Sequence, residues 1–367
     1  MHDSSALSST GETASPPAAG RSRFVLDVRQ SLPAWKQSLF LAVSLGLGLA
    51  LSVAILWVAG ISPIDLAGEL AGVFNADSLR GVLVQAAPLM LVGLAASLAF
   101  RIGFWNLGLD GQMVFGGIFA GAISIYQIGP PSTRLLLMGI AAAVGGSLWC
   151  LLAGFLKLRF RVNEIIATLL LNYVAVYFLF HLLYGAWQDA KTAFPQSTPF
   201  QPFERLTDLG YGINSGLLIA IVAILAAAWL IHYSRIGFYM RFISANPSMA
   251  KVVGIPIRAV TLWTVAISGA CAGLAGFVNV ASQEGRLTES YADGYVFSGV
   301  LIAFLSRNDP IVVAVVGFLI AVLFITGQTL QVFYQIPFTM VQMIEAIIVM
   351  SVASSEFFIR HRIRWIR

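Results

Sequence analysis

The feature of this sequence that most constrains its fold is a succession of apolar runs, each about as long as a membrane is thick. The first extends from Leu39 to Gly60, and comparable runs recur as far as Ser355. A helix of about 20 apolar residues spans the hydrocarbon core, because its backbone groups pair within the helix. Only 11% of residues are charged, against about 25% in soluble domains. The sequence therefore predicts an all-α, polytopic transmembrane bundle.

The apolar runs divide into about ten predicted helices. The third segment is broken by glycines, and the eighth is too short to span the membrane alone. A membrane β-barrel would alternate apolar and polar residues in segments of about ten, a pattern that is absent. The predicted helices are Leu39–Gly60, Gly81–Phe100, Trp105–Tyr126, Leu135–Leu156, Glu164–Tyr184, Ile213–Tyr233, Thr261–Ala281, Tyr295–Leu305, Ile311–Gln328 and Phe338–Ser355.

The distribution of basic residues predicts the orientation of this bundle. If the N-terminus is cytoplasmic, the outer segments hold only five of the 22 Lys and Arg residues, and the cytoplasmic segments hold the rest. Cytoplasmic loops carry such an excess in membrane proteins. The net charge of +5 therefore reflects orientation and does not indicate a nucleic-acid partner. The outer basic residues are Arg80, Arg134, Lys191, Arg205 and Arg286.

Three regions follow from the composition. Residues 1–36 are predicted to be a disordered cytoplasmic N-terminal tail, because their first part is rich in Ser, Ala, Thr, Gly and Pro. Residues 37–356 form the transmembrane domain, and residues 357–367 form a basic cytoplasmic tail that suits anionic headgroups. The outer segment Gly185–Gly212 is the longest loop, and it is predicted to be a lid, a docking surface or a plain connector.

The cytoplasmic loop after the sixth helix contains the most specific local pattern. Asn246 is a suitable N-cap, and Pro247 fits the first helical position, where its missing N–H costs nothing. Gly254 suits the left-handed position beyond a helix end, and Pro256 prevents continuation. The pattern predicts a helix of about two turns that needs a surface to pack on, because so short a helix is not stable alone.

Four stretches of the chain resemble permeases of binding-protein-dependent ABC importers, in the branch that carries ribose, nucleosides and branched-chain amino acids. The resemblance extends from about Gly81 to Ala353. The outer loop and the segment around Asn163 are most similar to guanosine and other nucleoside permeases. The stretches are FRIGFWNLGLDGQMVFGGIFAG (Phe100–Gly121), VNEIIATLLLNYVAVYF (Val162–Phe178), GVLIAFLSRNDPIVVAVVGFLIA (Gly299–Ala321) and the loop GFYMRFISANPSMAKVVGIPIRAV with its following helix.

The resemblance implies a non-catalytic membrane subunit of the inner (plasma) membrane. Its implied partners are ABC ATPase subunits, a second related permease and an extracytoplasmic substrate-binding lipoprotein. ATP and Mg²⁺ would bind to the ATPases, and this chain itself would hold no cofactor. The short helix would couple ATPase closure to the bundle, whereas the alternative is a helix packed only on its own protein. The implied coupling residues are Asn246, Pro247, Ser248, Met249, Ala250, Lys251, Val252, Val253 and Gly254.

Polar residues inside apolar runs are the candidates for a solute pathway, because such residues usually face the bundle interior. For Asp110, capping of a half-helix is an equal alternative. For Gln342 and Glu345, a helix–helix hydrogen bond is the more common role. Gly269 and Gly273 have the spacing of close helix packing. The predicted pathway residues are Asn106, Asp110, Gln112, Thr168, Asn172, Tyr173, Tyr177, Gln342 and Glu345.

No phosphate-binding loop of the Gly-x-x-x-x-Gly-Lys-Ser/Thr type occurs in the sequence, and no His, Cys or carboxylate cluster has metal-ligand spacing. The predicted function is translocation of a small polar solute, a purine or other nucleoside, by ATP-driven alternating access. The alternatives are a permease for ribose or another sugar, and a secondary transporter in which Asp110 and Glu345 couple to ions. A channel or scaffold is a further alternative.

Overall fold

The computed structural model describes residues 23–28, 33–192, 194–208, 210 and 214–366. These residues form thirteen α-helices and two short strands, with a 3₁₀ turn at Pro202–Glu204 and a π-helical turn at Val280–Glu284. In chain order they are β1 (Arg23–Val28), α1 (Ala34–Val58), α2 (Pro63–Gly72), α3 (Ala76–Arg101), α4 (Leu109–Ile125), α5 (Pro131–Phe160), α6 (Glu164–Leu183), α7 (Ser215–Tyr233), α8 (Arg235–Ala245), α9 (Pro247–Val252), α10 (Ile257–Asn279), α11 (Tyr295–Leu305), α12 (Pro310–Tyr334), α13 (Phe338–Arg360) and β2 (His361–Ile366).

Eight of these helices are long and apolar enough to cross a membrane, namely α1, α3, α5, α6, α7, α10, α12 and α13. Two more, α4 and α11, are apolar but have only 17 and 11 residues. They correspond to the third and eighth predicted segments, which were the broken and the short one. The polytopic helical bundle is confirmed, whereas the number of crossings and the cytoplasmic side of both ends stay predictions.

Several helices extend beyond the predicted apolar runs. The fifth helix, α5, continues to Phe160, and α10 begins at Ile257, four residues before the predicted start. Polar and basic residues such as Lys157 and Arg159 occupy these added turns. Hydrogen bonding within the helix continues past the hydrocarbon, and long basic side chains reach the interface there. An apolar window therefore underestimates helix length.

The centre of the bundle is α3, in which every residue from Gln85 to Ala99 is buried. It packs against α10, α11 and α12, and α10 in turn packs against α4 and α5. The peripheral helices expose large apolar side chains, among them Leu47 on α1, Leu170 on α6 and Trp229 on α7. Lipid is the solvent that such an outer surface fits.

Glycines allow α4, α5 and α10 to cross at very short range. A Cβ atom added to Gly273 on α10 would lie 2.2 Å from the carbonyl oxygen of Ala142 on α5. One added to Gly146 on α5 would lie 2.3 Å from the carbonyl oxygen of Gly269. Small residues drive such packing in membranes because they let backbones approach closely. The prediction that Gly269 and Gly273 mark close packing is confirmed.

A two-stranded ribbon lies outside the bundle, within the two predicted tails. The strands β1 and β2 pair antiparallel, from Arg23 opposite Ile366 to Val28 opposite His361. The structure thus places strands where the sequence predicted only tails, and α1 and α13 extend into those tails at Ala34 and Arg360. The predicted disorder of residues 1–22 and 29–32 lies outside the described residues.

A bulky side chain at the α5–α10 crossing should prevent correct folding. We expect Gly273→Val to abolish the monodisperse peak in size-exclusion chromatography in detergent, because the added atoms would overlap the backbone of Ala142. The matched control is Gly46→Val on α1, where an added Cβ meets nothing within 4 Å. A Gly273→Val protein that elutes as the parent does would contradict this packing.

Candidate functional site

Helix α9, which is predicted to be cytoplasmic, has the capping residues that the sequence predicted. The Asn246 side chain accepts a hydrogen bond from the N–H of Met249 at 3.0 Å, and Pro247 occupies the first turn. Gly254 follows the helix with φ +83°, a left-handed conformation that glycine adopts without strain. The regular helix covers six residues, shorter than the two turns predicted, because Val253 and Gly254 already form the C-terminal turn.

One face of α9 is anchored and another is exposed. Ala250 is fully buried against the protein, and Ile255 is buried just beyond the helix. Met249, Val252 and Val253 are 60%, 86% and 63% exposed. Apolar side chains clustered on a water-facing surface mark an interaction site. The helix is therefore held in place by its own protein and presents an exposed apolar patch on the opposite face.

The preceding helix α8 is fixed to the end of α7, so that α9 is not on a free loop. The Arg241 guanidinium donates to the carbonyl oxygens of Ile231 and His232, each at 3.3 Å. Ser234 accepts from the N–H of Gly237 at 3.1 Å and so caps α8. These contacts satisfy backbone groups that helix ends leave unpaired. Helix α9 is consequently attached to both α7, through α8, and α10.

The chain between α3 and α4 is irregular. Buried polar side chains form hydrogen bonds within this segment and to the helices around it. Asn106 and Gln112 form a reciprocal amide pair, with N···O distances of 3.0 and 2.7 Å. Asn106 also donates to Ser268 on α10 at 3.1 Å, and Ser268 donates to the carbonyl of Ala95 on α3 at 2.7 Å. The fully paired Asn106 links three elements in the bundle interior. Contact of Asn106 or Gln112 with solute stays a prediction.

Helix α6 supports the same break from its other side. The N–H of Gly111 donates to Asn172 Oδ1, and Asn172 Nδ2 donates to the carbonyl of Leu107, both at 2.9 Å. The Thr168 hydroxyl accepts from the N–H of Leu107 at 3.2 Å and donates to the carbonyl of Glu164 at 2.7 Å. These side chains replace the helical hydrogen bonds that the break removes, as membrane burial requires.

Asp110 joins the two short helices. Its Oδ1 accepts a hydrogen bond from the N–H of Val296 at 2.9 Å, at the beginning of α11. Free N–H groups at a helix N-terminus favour a carboxylate partner. This bond is the capping geometry that was one of the two alternatives for Asp110, and its contact with solute stays a prediction. The start of α4 and the start of α11 are thereby held together.

The other predicted pathway residues are found on α6 and α13. Tyr173 and Tyr177 on α6 are 65% and 67% exposed on the outside of the chain. Gln342 on α13 lies at the start of α11, where a Cβ atom built on Gly294 would be 3.1 Å from its Nε2. The side chain of Glu345 lies outside what the structure describes. Contact of these four residues with solute likewise stays a prediction.

Sequence reasoning missed a charged anchor in the outer loop. Glu204 accepts from Arg134 on α5 at 2.9 Å and from Ser124 on α4 at 2.7 Å, and all but 1% of Glu204 is buried. Arg134 was counted only as an outer cation. The available signal was an acidic residue next to the prolines of the loop, together with a basic residue near the start of α5. Buried, paired charges of this kind fix a loop in one position.

The outer loop also pairs with the segment that follows α10. Backbone N–H groups of Ser197, Phe200 and Leu206 donate to carbonyls of residues 281–287 at 2.8–3.0 Å. Glu289, in the same connection, forms a hydrogen bond with Tyr184 that raises the pKa of that phenol. The loop is therefore braced against the chain that leads from α10 to α11.

These features define a polytopic helical membrane protein with two short helices built into its interior. Among the described residues, no group of three His, Cys, Asp or Glu side chains is placed to hold a metal ion. Residues 78–353 match the family described as branched-chain amino acid transport system / permease component. The chain belongs to this family of ABC transporter permeases.

Individual relatives support this assignment over most of their length. The chain is 32% identical over 353 residues to the glucose ABC transporter permease protein TsgB13 of Haloferax volcanii, covering 92% of this chain and 93% of the relative. It is 31% identical over 326 residues to the guanosine ABC transporter permease protein NupP of Bacillus subtilis, covering 85% and 92%. It is 27% identical over 274 residues to NupQ, a guanosine ABC transporter permease protein of the same organism, covering 70% and 84%.

The contacts of Asn172 predict a structural effect on mutation. We expect Asn172→Ala to lower the amount of folded protein and transport in equal proportion, because two backbone groups lose their partners at about 1–3 kcal/mol each. The measurement is transport per unit of protein recovered in the membrane. The neighbouring exposed residue gives the control, Tyr173→Ala, for which yield should be unchanged. Transport that falls far more than yield in Asn172→Ala would indicate solute contact instead.

Proposed function

We propose that the chain is the membrane subunit of an importer that carries a nucleoside, such as guanosine, across the inner membrane by ATP-driven alternating access. The observation that carries this proposal is α9, an anchored helix with exposed Met249, Val252 and Val253 on the predicted cytoplasmic side. In this proposal both chain ends are cytoplasmic, and the chain has no catalytic activity by itself.

The proposed partner of α9 is an ABC ATPase subunit, which binds ATP and Mg²⁺. Burial of three apolar side chains in a groove of that partner would supply binding energy at about 25 cal/mol per Å². The connection from α9 to the bundle is short, since Gly254 and Ile257 at the start of α10 are three positions apart. A displacement of α9 by the ATPase would therefore displace the start of α10 as well.

A second permease subunit and an extracytoplasmic binding lipoprotein complete the proposed complex. Similarity to two guanosine permease proteins of one organism, NupP and NupQ, favours a pair of related but different permeases. The outer loop is the proposed docking surface for the binding lipoprotein. The buried Arg134–Glu204 pair and the hydrogen bonds to residues 281–287 fix the loop to the bundle. Docking of the lipoprotein on the loop would therefore also displace residues 281–287.

The proposed solute class is a nucleoside, and a sugar is the second candidate. Guanosine appears in the names of NupP and NupQ, while glucose appears in that of TsgB13. Both solutes are neutral and carry several hydroxyl groups. Competition for radiolabelled guanosine uptake by unlabelled guanosine, ribose and glucose separates these candidates.

The ion-coupled alternative requires a carboxylate that is available for protonation or ion binding. Of the two candidate carboxylates, Asp110 and Glu345, the structure describes only the side chain of Asp110. Its Oδ1 accepts a hydrogen bond from the N–H of Val296. The test is uptake of guanosine by vesicles that contain the complete complex. Uptake should require ATP on the cytoplasmic side and the binding lipoprotein on the other. Uptake driven by an imposed proton or sodium gradient without ATP would overturn the importer proposal.

A change at Gly254 should uncouple the ATPase while the outer face stays intact. We expect Gly254→Val to reduce co-purification of the ATPase several-fold, because a β-branched residue strains the left-handed conformation at φ +83° and displaces the end of α9. Gly254→Asn is the matched control, since asparagine tolerates this conformation. Binding of the external lipoprotein should be the same in both variants. An equal amount of ATPase with Gly254→Val would contradict the role of α9.

A further inference from the structure

A polar cavity of about 210 Å³ lies between α3, the π-helical turn, the connection to α11, and α12. Its floor is formed by Gln85 on α3 and Asn279 at the end of α10, which are only 2% and 3% exposed. Its rim carries exposed polar side chains, with Gln283 and Asp293 on one part and Gln328 on another. None of these residues was singled out in the sequence.

The composition of the rim excludes a lipid-facing position. Glu284 and Asp293 are carboxylates, and Gln283 and Gln328 are amides, and all four are exposed on the chain. Charged side chains in hydrocarbon are costly, and they generally face water or the interior of a bundle. Elsewhere the exposed parts of the long helices are mainly Leu, Val, Ile and aromatic residues. The cavity must therefore open to water or to another protein subunit.

The predicted topology places this cavity in the outer part of the membrane. Gln85 lies nine residues after the start of α3, which is about 14 Å along the helix. Gln328 lies six residues before the outer end of α12, which is about 9 Å. Asn279 is the last residue of α10. A solute that arrives from outside would meet these side chains before it reached the middle of the bundle.

The walls of the cavity are connected to both functional regions already described. The outer loop hydrogen-bonds to residues 281–287, which carry Gln283 and Glu284. The floor continues directly into α10, the helix that follows α9. Gln85 donates to the hydroxyl of Tyr295 at 3.0 Å, and Tyr295 begins α11. Docking of the binding lipoprotein on the outer loop and movement of α9 with α10 would each alter the shape of this cavity.

We propose that this cavity contacts the solute during translocation, and that it selects neutral solutes rich in hydroxyl and N–H groups over solutes that carry phosphate. This inference rests on the proposed import function. Amides both donate and accept, and carboxylates accept from adjacent hydroxyls or from paired N–H groups. None of the ten residues that line the cavity is basic, so a phosphate would meet two carboxylates and no cation.

The size of the cavity is consistent with passing contact. Sites that enclose a drug-sized ligand occupy about 300–1,000 Å³, more than the 210 Å³ found in this chain. The cavity therefore covers one side of a nucleoside and leaves the other side free. A second permease subunit would supply that other side.

Thiol labelling tests this assignment, because both native cysteines, Cys150 and Cys271, are buried. We would introduce Gln328→Cys and treat right-side-out vesicles that contain the complete complex with membrane-impermeant methanethiosulfonates. The matched control is Val222→Cys, an exposed apolar position on α7 at a similar number of residues from the outer end. Labelling of Gln328→Cys should be at least about tenfold faster, since thiolates react in water and not in lipid. Gln283→Cys, in the π-helical turn, serves as a second variant should Gln328→Cys not assemble.

The charge of the reagent tests selectivity independently of transport. At Gln328→Cys a cationic reagent should react about two- to fivefold faster than an anionic one, because Glu284 and Asp293 lie at the same rim. This rate ratio is divided by the ratio that the two reagents show with a small thiol in solution. Adding Asp293→Asn should reduce that ratio. A ratio equal to that of the free thiol would overturn the selection against phosphate.

Transport provides the final readout and separates the two proposals. Modification of Gln328→Cys should abolish uptake of radiolabelled guanosine, while treated Val222→Cys vesicles retain it. Full uptake after complete modification, or labelling no faster than at Val222→Cys, would overturn the cavity assignment. Wild-type vesicles without ATP-dependent guanosine uptake would overturn the import proposal itself. Those vesicles require no substitution at the cavity, so the two failures are distinguishable.

Discussion

The structure depends on satisfying the backbone groups of two interrupted helices inside the membrane. An unpaired N–H or C=O costs several kcal/mol in hydrocarbon, so an interruption persists only where side chains replace the missing bonds. Asn172 and Thr168 from α6 bind the chain before α4, and Asn106 pairs there with Gln112. Asp110 then binds the start of α11. Because of these contacts, the irregular segments inside the bundle leave few backbone groups without a hydrogen-bond partner.

A single helix links the short helix α9 with the polar cavity. Helix α10 begins three residues after Gly254 and ends at Asn279, the floor of the cavity. Its 23 residues span about 34 Å, close to the thickness of the hydrocarbon core. Midway it touches the backbone of α5 at Gly269 and Gly273. Close contact between two backbones leaves little room for bending, so α10 is suited to move as one body.

The outer loop is held against the bundle at several points. A length of 28 positions suggested a lid, a docking surface or a plain connector, and the sequence did not distinguish them. Its buried pair, Arg134 with Glu204, and its backbone bonds to residues 281–287 fix it on the bundle. No described residue of the loop lines the cavity itself, but the loop holds the segment that carries Gln283 and Glu284.

The sequence by itself determined what depends on neighbouring residues. Apolar run length identified the membrane helices, and the order Asn246, Pro247 and Gly254 defined α9, because caps act within one helical turn. Tertiary structure alone decided which buried polar residues meet. Asn172 contacts Gly111 across 61 positions, and Gln85 contacts Tyr295 across 210. No local pattern predicts these partners. The sequence around a single amide in an apolar run is the same whether the amide binds a backbone group, another helix or a solute.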